Sequence, residues 1–129
     1  MNDKNILLYT KDIEKKRAIE KITKSIDLKF GELKANQAND LISSIVGLPT
    51  FAAFDTSSET NIKAPALWSM PELILFFGVP DAKLDKFLAE FKKTNLERIK
   101  LKAIVTPTNL NWSLYYLIEH LKEEAKAFE

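Results

Sequence analysis

The side chains best placed to do chemistry follow the last predicted strand. That strand runs through Val105 and stops at Thr106-Pro107, because proline fixes φ and offers no N–H to a strand ladder. Several polar residues can cap the helix that follows, with Pro107 at its first position if Thr106 is the cap. The candidate caps are Thr106, Thr108, Asn109 and Asn111. Each alternative puts hydroxyl and amide groups at the carboxyl end of a strand, where α/β proteins bind ligands.

Two earlier strand ends carry similar groups. Tyr9, Thr10 and Lys11 end the first predicted strand, and Gly78 and Asp81 follow the third. If these ends share one edge of a sheet, the N-termini of the helices there favour an anion or a polar small molecule. The predicted ligand site is therefore Tyr9, Thr10, Lys11, Gly78, Asp81, Thr106, Thr108 and Asn109. A polar capping cluster without a ligand is the alternative.

Composition excludes many familiar catalytic and cofactor sites. The chain has no cysteine, which excludes thiol nucleophiles, disulfides and cysteine metal sites. Its three glycines, Gly31, Gly47 and Gly78, are too few for a dinucleotide fingerprint or a P-loop. The third predicted strand ends in Phe76-Phe77-Gly78, which lacks the phosphoacceptor aspartate of a receiver domain. We therefore expect a non-enzymatic binding domain with no metal and no cofactor.

His120 is the one histidine, so a Ser-His-Asp arrangement would depend on it. At about 100° per residue it lies away from the apolar stripe of the last predicted helix, among Glu119, Glu123 and Glu124. We therefore interpret it as a surface residue. Glu119 and Glu123 have an i, i+4 spacing that a cation site could use, but a solvated acidic face is far more common.

Trp112 and Tyr116 form a second candidate site, for a partner instead of a small ligand. They lie four residues apart, on the side of the last helix opposite to its apolar stripe. That stripe consists of Leu110, Leu114, Leu117, Ile118, Leu121, Ala125 and Phe128. A crossover loop folded over the pair, or a first turn sandwiched between other elements, would explain both residues structurally. An interface is the functional alternative, because paired exposed aromatics are typical anchors of protein contacts.

Length and composition predict a globular single domain. The chain has 129 residues, of which 46% are apolar and 29% charged, enough to bury one core. Nineteen basic and eighteen acidic residues leave a net charge of +1, which gives no reason to expect nucleic acid or an anionic membrane as a partner. No apolar run approaches the ~18 residues of a membrane span, and the run after Asn5 is too short for a signal peptide. We expect a cytoplasmic protein.

Four predicted strands alternate with four predicted helices, which indicates an α/β fold. The strands cover Ile6–Tyr9, Asp27–Phe30, Glu72–Phe77 and Arg98–Val105. The helices cover about Asp12–Ser25, 40–46, a segment from Asp81 with the stripe Leu84, Phe87, Leu88 and Phe91, and Asn109–Phe128. Strands one and three are continuously apolar and belong inside, whereas strands two and four alternate and belong at the edges. The predicted architecture is one small three-layer domain with a mostly parallel sheet, order 2-1-3-4, and helices on both faces.

Residues 48–70 form the longest irregular stretch of the chain, and no internal repeat is visible on either side of it. Loops of this length are lids, binding loops or disordered segments. The alternative is a meandering crossover whose large apolar residues plug the side of the core. Those residues are Phe51, Phe54, Leu67 and Trp68.

Four motifs between residues 71 and 124 occur together in one protein family. They are the strand end Phe76–Gly78, the helix start Leu84–Leu88, the stretch Lys102–Trp112 within LKAIVTPTNLNW, and the acidic segment Glu119–Glu124. On these motifs the sequence resembles a bacterial domain-of-unknown-function family, common in anaerobic Gram-positive species. The first half agrees only in the order of strand and helix and in the short helix at 40–46. The resemblance implies a small cytosolic α/β domain and brings no activity with it.

Three functional hypotheses follow from the sequence. The first is a binding domain that takes an anion or polar small molecule at the strand carboxyl ends. The second is a protein-interaction or homodimerisation module that uses Trp112, Tyr116 and residues 48–70. An enzyme ranks third, because hydroxyls, amides and one lysine bind substrates but supply no evident general base.

Overall fold

The computed structural model describes residues 4–47 and 63–127. The strands are β1 (Ile6–Tyr9), β2 (Phe30–Glu32), β3 (Leu73–Phe76) and β4 (Leu101–Ile104). The helices are α1 (Ile13–Ser25), α2 (Ile42–Ile45), α3 (Asp81–Lys93) and α4 (Leu114–Ala127), with a 3-10 turn at Ala35–Gln37. The predicted alternation of strands and helices is confirmed, and several boundaries differ; β4, for example, begins at Leu101 instead of Arg98. None of the described helices is long and apolar enough to cross a membrane.

The second strand lies later in the chain than predicted. Asp27 takes a left-handed conformation (φ 59°) that belongs to the end of α1, because its N–H donates to Lys24 O at 3.2 Å. The strand therefore starts at Phe30. Gly31 is its middle residue, where a Cβ would come within 2.5 Å of a Lys4 side-chain carbon and 2.9 Å of Leu7 Cδ2. A larger residue there would require both side chains to shift.

The last helix also starts later than predicted, at Leu114 instead of Asn109. Residues 107–112 form turns. Ser113 caps the helix, since its Oγ accepts a hydrogen bond from the Tyr116 N–H at 3.1 Å. The four predicted caps therefore belong to the loop before the helix.

The sheet has the predicted strand order, β2-β1-β3-β4, with the two most apolar strands at its centre. β1 pairs with β2 and β3 pairs with β4 in parallel, whereas β1 and β3 are antiparallel. Two of the three pairs are thus parallel, as a mostly parallel sheet requires. Because β1 and β3 are antiparallel, the carboxyl ends of β1 and β2 lie at one edge of the sheet, and those of β3 and β4 lie at the opposite edge.

Helices cover both faces of the sheet, as predicted, and each face has its own core. Side chains of α2 and α4 pack on one face, in a core that includes Ile42, Leu114, Leu7 and Leu75. Side chains of α1 and α3 pack on the other face, in a core that includes Ile19, Phe87, Ile6 and Ile74. Successive strand residues point to opposite faces, so both central strands contribute to both cores.

The chain consists of two β-α-β-α units related by approximate two-fold symmetry. The first unit is β1, α1, β2 and α2, and the second unit is β3, α3, β4 and α4. The symmetry axis passes between the antiparallel strands β1 and β3. α1 and α3 each have 13 residues, and each is followed by a residue with positive φ, Asp27 at 59° and Asn95 at 60°. The equivalence therefore extends to the helix ends.

Backbone hydrogen bonds across the axis occur in reciprocal pairs. The Ile42 N–H donates to Trp112 O and the Leu114 N–H donates to Asp40 O, both at 2.9 Å. A second reciprocal pair lies beside the first: the Ser43 N–H donates to Leu110 O (3.0 Å), and the Tyr115 N–H donates to Ala38 O (2.8 Å). Between them, Leu41 and Ser113 form an antiparallel bridge. The starts of α2 and α4 are thus locked together by equivalent residues of the two units.

Candidate functional site

The eight predicted ligand residues do not lie together. Because β1 and β3 are antiparallel, the β1 group is at one edge of the sheet and the β4 group at the opposite edge. The β1 group is Tyr9, Thr10 and Lys11, and the β4 group is Thr106, Thr108 and Asn109. Gly78 and Asp81 follow β3 beside Asn5, whose Nδ2 donates to Phe77 O at 3.1 Å. Gly78 and Asp81 line neither of the two clefts described next.

The β1 group borders a cleft of about 640 Å³, here termed the Lys15 cleft. It is lined by Tyr9, Lys11, Asp12, Lys15, Met70, Glu72 and Glu97. Lys15 is 5% exposed, and its Nζ lies 3.0 and 3.3 Å from the two carboxylate oxygens of Glu72. The Thr10 hydroxyl donates to the same carboxylate at 2.6 Å.

The charges of the Lys15 cleft argue against an anion. Lys15 is already neutralised by Glu72, and Glu97 lies 3.9 Å from its Nζ. Asp12 caps α1, with Oδ1 accepting from the N–H groups of Glu14 and Lys15 at 3.0 and 3.2 Å. The polar cluster therefore fixes α1 to the residue before β3. This ion pair is not evident in the sequence, because Lys15 stands among other charged residues and its partner is 57 positions away.

The β4 group borders a second cleft, here termed the β4 groove, of about 370 Å³. It is lined by Lys102, Ala103, Ile104, Thr106, Thr108, Asn109, Trp112, Leu117, His120, Leu121 and Glu124. The groove joins part of the predicted ligand site to one of the predicted interface aromatics. Thr106 and Thr108 are exposed, and in the part of the chain that the structure describes their hydroxyls have no hydrogen-bond partner.

Asn109 holds the turn at the end of β4. Its Oδ1 accepts from the Thr106 N–H at 2.9 Å, and its Nδ2 donates to Ile104 O at 3.1 Å. The residue is 8% exposed. Both polar atoms of the amide are therefore engaged with backbone, and Asn109 positions the threonines instead of offering free groups to a ligand.

Aromatic rings form a ladder along α4 beside these threonines. The Trp112 ring meets Tyr116 edge-on at 4.9 Å between centroids and His120 at 5.2 Å. Trp112 and Tyr116 are both half-buried, and Trp112 packs against the core. His120 is half-exposed, with Nε2 3.4 Å from Glu124 Oε1.

The described end of the predicted crossover loop, residues 63–70, contacts a different flank of α4 through Trp68, whereas Leu67, expected to fill the side of the core, is 97% exposed. Trp68 meets Tyr115 edge-on at 5.0 Å, and its Nε1 donates to Glu119 Oε2 at 3.3 Å. Lys122 Nζ lies 5.6 Å from the Trp68 ring. Residues 48–62, which include Phe51 and Phe54, lie outside the described residues.

The described residues contain no group of three or more acidic or histidine side chains arranged to hold a metal ion. Glu119, one of the two carboxylates whose spacing a cation site could use, contacts Trp68 and Lys122, the latter at 2.9 Å.

Comparison with known proteins concerns the second half of the chain. Residues 72–128 match the model of DUF3783, a domain of unknown function. The second unit is therefore the part of the chain that is similar to a DUF3783 domain, and we term it the DUF3783 unit. This match confirms the resemblance to an uncharacterised family. No curated protein and no solved structure matches the chain.

The boundaries of the match coincide with the second unit, which begins at Leu73 and ends at Ala127. Every residue that lines the β4 groove lies inside this DUF3783 unit. The equivalent positions of the first unit, defined by the reciprocal hydrogen bonds and the matching turns, carry different side chains. Lys34, Asn36 and Asp40 stand where the DUF3783 unit has Thr106, Thr108 and Trp112.

Proposed function

We propose that the chain is a non-enzymatic binding domain and that the β4 groove takes a small, planar, polar molecule. The observation that carries the proposal is the meeting of two kinds of contact group in one groove. Thr106 and Thr108 supply exposed hydroxyls, and Trp112 and His120 supply rings. A ligand with a flat ring and polar substituents uses both kinds of contact.

The size and charge of the groove support the same ligand class. Its volume of about 370 Å³ falls within the range of about 300–1,000 Å³ common for small-molecule sites. Lys102 and Glu124 give it one charge of each sign beside a half-exposed histidine. A neutral or weakly charged molecule therefore suits the groove better than a multiply charged anion.

Binding is the better-supported class of function because the groove offers contacts without an evident reaction. Trp112 and Tyr116 remain candidates for a protein interface, but their half-burial reduces the area that a partner can cover. A cytoplasmic location is part of the proposal, since a chain without cysteine is compatible with a reducing compartment.

A fragment screen followed by NMR tests the proposal. We expect small aromatic amides and heterocyclic alcohols to shift the backbone amide signals of residues 102–109 and 112–121, in a saturable manner. Thr108→Ala should weaken these shifts because it removes an exposed hydroxyl from the groove. Asn36→Ala is the matched control, since Asn36 occupies the equivalent position of the first unit, and it should leave the shifts unchanged.

Two results would contradict the proposal. One is a set of fragments that shifts only residues around the Lys15 cleft. The other is a screen in which no fragment shifts the groove residues of the folded protein.

A further inference from the structure

We propose that Leu84, Leu88 and Ile104 of the DUF3783 unit form a self-association surface on which two copies of the chain pack with this apolar strip antiparallel. This inference concerns the face of β4 opposite to α4. Ile104 and Lys102 also line the β4 groove, but the inference requires no ligand there. Its partner is a second copy of the chain.

The strip lies where the sheet extends beyond its helical cover. β4 is an edge strand, and α3 packs inward, with Phe87 edge-on to Phe76 at 5.5 Å. The outer half of β4 is left uncovered on this face. A shallow groove of about 210 Å³ results, lined by Phe76, Leu84, Leu88, Lys102, Ala103 and Ile104. Ile104 is 55% exposed and Leu88 is 38% exposed.

The first unit shows that the fold does not need apolar residues at these positions. α1 and α3 have the same length, so Lys16 and Glu20 are the equivalents of Leu84 and Leu88. Glu32 is the equivalent of Ile104, because Glu32 pairs with Leu8 of β1 and Ile104 pairs with Phe76, the equivalent residue of β3. The residues that follow them form equivalent hydrogen bonds: the Leu33 N–H donates to Leu8 O and the Val105 N–H donates to Phe76 O, both at 2.8 Å.

Charged side chains fill this surface in the first unit. Lys16 Nζ and Glu32 Oε1 form an ion pair at 2.5 Å, and Glu20 pairs with Lys24 at 3.7 Å. The DUF3783 unit has three large aliphatic residues in place of these three charges. Leu84 packs partly against the core of this face, whereas Leu88 and Ile104 are exposed. Since the same backbone tolerates charged residues at all three positions, the exposed apolar area serves contact with something outside the unit.

Charges around the strip identify a second copy as the partner. α3 follows β3 and returns along the sheet to the start of β4, so Asp81 and Asp85 in its first turns belong to the Ile104 end of the strip. Lys92 in its last turn and Lys100 just before β4 belong to the other end, and Lys102 lines the groove between them. All five are exposed, and none forms an ion pair within residues 4–47 and 63–127. Antiparallel packing of two strips brings the carboxylates of each copy to the lysines of the other, whereas parallel packing would oppose like charges.

The small size of the strip predicts weak association. Stable interfaces bury about 1,200–2,000 Å² in total, and three aliphatic residues with a charged rim fall at the low end. The dimer should therefore form with increasing concentration and weaken in high salt, because its rim pairs are exposed to solvent.

Sedimentation velocity of the full chain from micromolar to millimolar concentration tests the inference. We expect the mass to rise toward that of a dimer at low salt. Leu84→Lys with Ile104→Glu recreates the Lys16–Glu32 pair on the second unit, so it should stay folded by circular dichroism and remain monomeric. If this double variant fails to fold, Leu88→Ser is the second test, because Leu88 is more exposed than Leu84. This change removes apolar area from the strip and should weaken dimerisation by about tenfold or more.

Charge exchange tests the antiparallel arrangement. Asp85→Lys and Lys92→Asp should each weaken association, and the two together should restore it, because the acidic and basic ends are then only interchanged. A wild-type chain that stays monomeric at millimolar concentration would overturn the inference. So would a dimer that survives the Leu84→Lys, Ile104→Glu change, since it would use another surface, such as Trp112 and Tyr116.

Discussion

The two units of this chain have equivalent backbones and different outer surfaces. On the face covered by α1 and α3, the first unit has the ion pair Lys16–Glu32 where the second has Leu84 and Ile104. On the other face, Asp40 of the first unit stands where the second has Trp112. In both places the charged or polar residue is in the first unit and the apolar or aromatic residue is in the DUF3783 unit.

Inside the molecule the two units are alike. Ile42 and Leu114 are equivalent and both 0% exposed, and the central strand residues Ile6 and Ile74 are 0% and 1% exposed. These positions face cores that both units share, so their apolar character is required on both sides of the axis. Packing requires apolar residues at these central positions, whereas positions outside this centre differ between the units. The difference in surface is therefore the best guide to where the DUF3783 unit makes contacts.

The polar cluster of the Lys15 cleft is where we expect mutation to change stability most, compared with the equivalent position of the other unit. Lys15 is buried against Glu72, whereas the equivalent Lys83 reaches Asp27 O at 3.5 Å on an exposed surface. Glu72→Gln should lower the free energy of unfolding by on the order of 2 kcal/mol, since it leaves a buried ammonium without its counter-charge while Glu72 itself is 29% exposed. Lys83→Met should cost less than about 0.5 kcal/mol. Urea unfolding of both variants measures the difference, and equal losses would refute it.

Mutations in the turns that precede α2 and α4 should have a smaller effect on stability. The Asn109 side chain bonds to Thr106 N–H and Ile104 O. Within the described residues, the side chain of the equivalent Gln37 bonds to Lys34 N–H alone, at 2.8 Å on an exposed surface. Asn109→Ala should therefore cost about 1–2 kcal/mol and Gln37→Ala about 0.5 kcal/mol. Thermal melting of the two variants checks the order. A larger loss for Gln37→Ala would show that the first turn, not the second, holds its unit together.

The centre and edges of the sheet were predictable because burial acts directly on residue type. Ile6–Tyr9 and Leu73–Phe76 are apolar without interruption, as strands covered on both faces must be. Strand direction was not predictable in the same way. A strand buried on both faces has the same apolar pattern in either direction, and the long segment between α2 and β3 permits both. The β1 and β4 groups of the predicted ligand site were separated for this reason.

The i, i+4 spacing of Trp112 and Tyr116 predicted that their rings lie close together, because both were expected on one helix. The rings do meet, but Trp112 precedes α4, so helix geometry alone does not account for the contact. The role of Asn109 was not predicted, because the same residue type caps helices and closes turns. The internal repeat was not predicted from the sequence either. Equivalent surface residues differ in charge and polarity, and the connection from α3 to β4 is longer than that from α1 to β2.

Amide hydrogen exchange tests the central claim, that two equivalent units are locked together across the symmetry axis. The N–H groups of Ile42 and Leu114 cross the axis in opposite directions with equal 2.9 Å bonds. We predict that they exchange with equal free energies of opening, and that both match the free energy of global unfolding from urea. Exchange of Ile42 through a much cheaper local opening, with Leu114 still protected, would show that the first unit opens by itself and would contradict the claim.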